Sequence, residues 1–64
     1  MNLPPRQQQV LELVSHGYTD RQIADLLGIR QHTVRTHLDW TLRTLGARNR
    51  YHAVAIGFQK GLLQ

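Results

Sequence analysis

Apolar positions in this 64-residue chain fall into four runs, and a glycine follows each of them. In the first, Val10, Leu11 and Val14 recur at helical spacing, with Leu13 beside them, Pro4 and Pro5 ahead and Gly17 behind. Proline suits a helix's first turn, where its missing N–H has no partner to lose, so a helix is predicted over about 5–15. In the second, Ile23, Ala24 and Leu27 form the stripe, with Leu26 at its edge and Gly28 as a left-handed exit. Thr19 followed three residues later by Gln22 makes a capping box, and Asp20 suits the positive end of the helix dipole, placing this helix at 20–27. Val34, Leu38, Thr41, Leu42 and Leu45 make the third stripe, over 31–45, closed by Gly46. Its N-cap position is held by Arg30, a residue without a capping oxygen, at a cost of about 1 kcal/mol against Ser or Asp. The fourth, with Ala53, Val54, Ile56 and Phe58, is capped by Asn49, spans about 50–60 and ends at Gly61. No strand-like alternation of useful length appears. The prediction is an all-α chain of four helices forming a single domain over 1–64.

Composition narrows what such a bundle is for. A chain this short buries only about 60% of its unfolded surface. Cysteine is absent, which excludes disulfides and thiolate metal sites. The longest apolar run, AVAI at 53–56, is far too short to span a membrane, so a cytoplasmic location is expected. Charge is unevenly placed. Arg6 and Arg21 against Glu12, Asp20 and Asp25 leave residues 1–29 at −1, while Arg30, Arg35, Arg43, Arg48, Arg50 and Lys60 against Asp39 leave residues 30–64 at +5. A basic half points to a polyanion partner, the alternative being a merely solvated basic surface.

The third helix sharpens the choice. At about 100° per residue, Val34, Leu38, Thr41 and Leu45 share one side. The opposite side holds His32, Thr36, Asp39, Trp40 and Arg43, with Arg35 at its edge. Arginine can bind guanine with two hydrogen bonds, threonine offers a hydroxyl or a methyl, and aspartate can accept from the cytosine amino group. Arg43, two turns beyond Thr36, is better placed for a phosphate. Only Gly28, Ile29 and Arg30 separate this helix from the one before it. Two helices joined by a tight turn containing glycine, the second amphipathic and basic, form a helix-turn-helix that would lay its second helix in the DNA major groove. A generic bundle with a solvated polar face is the plain alternative.

Five segments together carry a family resemblance: PRxxxVLELV at 5–14, IAxxLGI at 23–29, TVRTHL at 33–38, LxxLGxRNR at 42–50 and AVAI at 53–56. The chain resembles the DNA-binding domain of LuxR/GerE-type bacterial transcription regulators along nearly its whole length. That resemblance implies four helices, the second and third forming the helix-turn-helix and the fourth commonly serving dimerisation. It implies base contacts from Arg35, Thr36 and Asp39, to which the outward face adds His32. Backbone contacts are implied for Thr33, His37 and Arg43, with Arg30 and Gln31 at the start of the helix and Arg48 and Arg50 in the turn before helix four. His37, between the two faces, is equally a packing residue; Arg48 and Arg50 are equally solvated charges. The segment LPPRQQQVLEL at 3–13 also resembles the promoter-binding region of sigma factors, but that family lacks the LGARNR–AVAI extension.

Three departures from the LuxR/GerE pattern, at four positions, stand out. Acidic residues usual in helix one are Gln7 and Gln9, the hydroxyl residue usual before helix three is Arg30, and Trp40 stands where a polar residue is more usual. Trp40 would pack on a sugar-phosphate edge or bury against a partner. The family's regulatory domain, which receives a phosphoryl group or a small autoinducer, is not in this sequence, which is expected to be a stand-alone regulator or a fragment of one.

Ala53, Gly57 and Gly61 recur every four residues, a strip nearly free of side chains. Glycine inside a helix costs about 1 kcal/mol against alanine, so a close approach is expected there. It is either a seam with helix four of a second subunit, making a homodimer on an inverted repeat, or packing against helix one of the same chain. Catalysis is not expected: Ser15 has no supporting carboxylate–histidine arrangement, and His32 and His37 point to different sides of their helix. Neither a metal, a cofactor nor a small-molecule ligand is expected. The rival to double-stranded DNA binding is a small interaction protein that titrates a related host regulator through helix four.

Overall fold

The computed structural model describes residues 2–64 and contains four helices: α1 (Pro5–Ser15), α2 (Asp20–Leu27), α3 (Gln31–Leu45) and α4 (Arg50–Gln59). Several boundaries have a local cause. Pro5 opens α1 without any side-chain cap. Thr19 Oγ1 accepts from the Gln22 N–H at 3.2 Å while Gln22 Oε1 accepts from the Thr19 N–H at 2.9 Å, so the capping box is complete. Asn49 Oδ1 accepts from the His52 N–H at 2.9 Å at the head of α4. Arg30, in extended backbone, leaves the head of α3 without a side-chain cap. Gly28 leaves α2 at φ +68°, a left-handed conformation that costs glycine nothing and other residues about 1–2 kcal/mol.

Helix α1 holds the fold together because its two adjacent buried residues face two different clusters. Val10 joins Ile23, Ala24, Val34 and Leu38, which brace α2 and α3 against each other. Leu11 joins Leu3, Leu45, Ala53, Ile56 and Leu63, which fasten α4 and both chain ends. Leu11, Val10, Ile23 and Val34 are fully enclosed, each contributing about 1.5–3 kcal/mol by burial. Two polar residues join them. Thr41 is completely buried and donates its hydroxyl to the His37 carbonyl at 2.8 Å, with Gln7 Oε1 3.5 Å away. Gln7, one of the departures in helix one, is thus a core residue.

The small-residue strip on helix four is corrected by the packing. Ala53 is fully buried and Gly57 lies beneath the C-terminal tail. A Cβ on Gly57 would stand 2.7 Å from Leu63 Cδ1 and 3.3 Å from Leu11 Cδ2. Gly61, at φ +75°, lies in the turn after α4 rather than in the helix, so it does not extend the strip. Close approach is indeed what glycine permits here, but the approaching groups are the chain's own Leu11 and Leu63. The tail is pinned further by Gln8 Nε2, which donates to the Leu62 carbonyl at 2.6 Å. Tyr51, Ala55, Phe58 and Gln59 are what α4 turns to solvent.

Candidate nucleic-acid interface

Anchoring of α3 decides what it presents. Val34, Leu38, Thr41 and Leu45 are all buried, which fixes the rotation of the helix about its axis. With that stripe held, His32, Arg35, Asp39, Trp40 and Arg43 are exposed, and Thr33, Thr36 and His37 are half-buried at the margins. Arg30 and Gln31, at the head of the helix, are exposed as well. Successive residues rise about 1.5 Å, so Thr36 and Arg43 stand about 10 Å apart along one face. That face is long enough to meet several base pairs.

Local hydrogen bonds determine what some of these groups can offer. The Thr36 hydroxyl donates to the His32 carbonyl at 3.0 Å, which leaves its oxygen able to accept. Thr36 can therefore accept from a base or touch a thymine methyl, but its proton is committed. His37 meets Trp40 edge to face, with ring centroids 5.6 Å apart and planes at 77°. It stands on the boundary between core and surface, and its carbonyl accepts a hydrogen bond from the Thr41 hydroxyl.

Arg35, Asp39, Arg48, Asn49, Arg50 and Tyr51 line a groove between α3 and the start of α4, floored by Leu38 and Leu42. Arg48 is exposed, and its backbone N–H donates to His52 Nδ1 at 3.0 Å, which clamps the turn that carries it.

Arg50 is the exception among the expected phosphate ligands. Its guanidinium grips Asp20 with both forks, Nη1 to Oδ1 at 2.8 Å and Nη2 to Oδ2 at 3.2 Å. It ties the head of α4 to the head of α2, and its charge is engaged with a carboxylate of the same chain. The hydrogen bond from Arg50, aided by the positive charge of Arg50 and Arg35 and opposed by burial, holds the Asp20 carboxyl below the ordinary aspartate range. No local feature of the sequence joins these two residues, 30 positions apart; only the opposite charges at two helix heads hint at it. Among the described residues, no three His, Cys, Asp or Glu side chains converge as a metal site would require. No helix among them is long and apolar enough to cross a membrane.

Four helices with an anchored, outward-facing third define a helix-turn-helix domain, and comparison places it. Residues 1–56 match the family described as "Bacterial regulatory proteins, luxR family". The solved structure of the transcription factor GerE superposes with a TM-score of 0.92 and 29% identity, covering 97% of this chain and 92% of that one. The transcriptional activator AhyR of Aeromonas hydrophila is 41% identical over 61 residues, 95% of this chain and 24% of that protein. The transcriptional regulatory protein DesR of Bacillus subtilis is 37% identical over 59 residues, 92% of this chain and 30% of that protein. The chain belongs to the luxR family and carries its helix-turn-helix DNA-binding domain. It spans about a quarter of the length of AhyR and under a third of DesR.

Proposed function

We propose that this chain binds double-stranded DNA sequence-specifically to regulate transcription, in the cytoplasm, with α3 lying in the major groove. The observation that carries this reading is the division of α3: one stripe fully engaged with the core, and the opposite face open and carrying Arg35, Asp39 and Arg43. Arg35, Thr36, Asp39 and His32 are the base-reading set. A carboxylate is repelled by phosphates, so Asp39 favours sites where a cytosine amino group meets it. Arg30, Gln31, Thr33, His37, Arg43 and Arg48 hold the backbone. Arg50 acts through the fold, by fastening α4 to α2.

Dimerisation belongs to the same proposal, in a revised form. Because Ala53 and Gly57 are covered by the chain itself, a second copy would meet the outer face of α4, where Tyr51 and Phe58 are 80% and 50% exposed. Two copies related by a two-fold axis would read an inverted repeat with half-sites about 34–36 Å apart or a multiple of it. Much of the affinity of one half-site is then electrostatic and falls steeply with salt.

The test is selection of duplexes from a random pool, followed by sedimentation of the protein with and without the recovered sequence. An enriched motif supports the reading, and its palindromy with a two-to-one complex supports the dimer. Failure to enrich any motif, together with heterodimers formed in mixtures with a full-length relative, would favour titration of a host regulator instead.

A further inference from the structure

Trp40 is the one large apolar side chain among the exposed residues of α3, and it is 47% exposed. Its surroundings on the helix are polar or charged. Thr36 precedes it by one turn, Arg43 and Thr44 follow it, and the Thr44 hydroxyl donates to its carbonyl at 2.9 Å. The core stripe of α3 lies on the other side, and the indole belongs to neither buried cluster. A tryptophan engaging another protein usually sits at the centre of an apolar, desolvated patch. Here the other exposed aromatics lie off α3, Tyr18 in the loop before α2 and Tyr51 and Phe58 on α4.

Position along the axis says what the ring would meet. At about 1.5 Å per residue, Trp40 lies about 6 Å beyond Thr36 and about 4.5 Å short of Arg43. With Thr36 at base edges and Arg43 on a phosphate, the residue between them faces the wall of the groove. That wall offers apolar chemistry: thymine 5-methyl groups and the C–H faces of deoxyribose. The edge-to-face contact with His37 restrains the indole before binding, which lowers the ordering cost of using it.

We propose that Trp40 is a DNA-contacting residue whose indole packs on the apolar wall of the groove, on a thymine methyl or a deoxyribose, one turn beyond Thr36. This rests on the DNA-binding reading above, and its test separates the two. Trp40 is the only tryptophan in the chain, so red-edge excitation reports on it alone. A duplex recovered by selection is titrated against the wild-type protein, following labelled-duplex anisotropy and acrylamide quenching of the indole in parallel. The expected result is loss of acrylamide access that saturates with the anisotropy. Trp40→Ala is expected to bind about tenfold more weakly with an unchanged salt slope, because it removes apolar contact and no charge. Trp40→Phe should recover part of that loss. Uracil replacing single thymines distinguishes the two apolar sources: a penalty at one position that vanishes in Trp40→Ala identifies a methyl, and no such position identifies deoxyribose. Binding with undiminished quencher access and an unaltered Trp40→Ala isotherm would overturn the contact while leaving DNA binding intact. Absence of any retained duplex would overturn both. Indole shielding that depends on protein concentration without DNA would assign the ring to a protein partner and overturn it too.

Discussion

Gly57→Ala sets two known effects against each other. Alanine improves helix propensity over glycine by about 1 kcal/mol. Its methyl would arrive 2.7 Å from Leu63 Cδ1 and 2.9 Å from Leu63 Cγ, distances that real Cβ atoms do not tolerate. Leu63 is near the end of the chain and can withdraw, but it is only 5% exposed and belongs to the cluster beneath α1 and α4. Withdrawal forfeits about 2 kcal/mol of burial. The variant should therefore be less stable by about 1 kcal/mol, lowering Tm by about 4–8 °C for a domain of this size. The Leu63→Ala background should reverse the sign. There the remaining neighbour is Leu11 Cδ2 at 3.3 Å, the end of a flexible side chain, and the alanine should stabilise by about 0.5–1 kcal/mol. Calorimetric or circular-dichroism melts of the four proteins close the cycle. The loss should be independent of protein concentration, because the obstacle lies within one chain. A Gly57→Ala variant more stable than wild type, or a loss that shrinks on dilution, would refute the assignment of Leu63 as the neighbour.

The Asp20–Arg50 pair predicts a pH dependence of definite sign. Because the folded state lowers the Asp20 pKa, its contribution is complete above the ordinary aspartate value of 3.8 and fades as pH falls from there through the lowered one. Asp20→Asn should be less stable at neutral pH, and the deficit should vanish in acid melts; a constant deficit across that window would count against the pair. Arg30→Ser should stabilise the domain by about 0.5–1 kcal/mol by supplying the cap that α3 lacks. It should also reduce the salt slope of DNA binding by about 1 if Arg30 touches a phosphate. A melt unchanged from wild type would mean that the head of α3 is satisfied by water instead.

Local chemistry made the helix heads legible in the sequence. Thr19 with Gln22, and Asn49 before helix four, act through residues three positions away, so their bonds follow from spacing alone. The face of α3 was legible for the same reason: apart from Trp40, its apolar residues lie on one side and its charges on the other. Helix α4 was not. Val54, Ala55, Ile56, Gly57 and Phe58 put apolar or small groups on most of its circumference, so periodicity cannot say which side is buried. That choice was made by Leu63 folding back over Gly57. The pairing of Arg50 was not legible because a guanidinium before a helix looks alike whether it waits for a phosphate or holds a carboxylate. Its partner, Asp20, had a sufficient local explanation in the helix dipole. Where the sequence raised a question about a glycine, the packing answered with the chain's own side chains.

The central claim is that the open face of α3 reads DNA, and it is tested most directly by comparing two arginines on two duplexes. Binding of wild type, Arg35→Ala and Arg43→Ala would be measured by anisotropy across a salt series on a selected duplex and a scrambled one. Arg35→Ala should lose about 1–3 kcal/mol of preference for the selected sequence, while Arg43→Ala should weaken both duplexes alike and lower the salt slope by about 1. Isotherms indistinguishable from wild type for both variants would contradict the claim, since the two exposed arginines on that face would then have no part in binding.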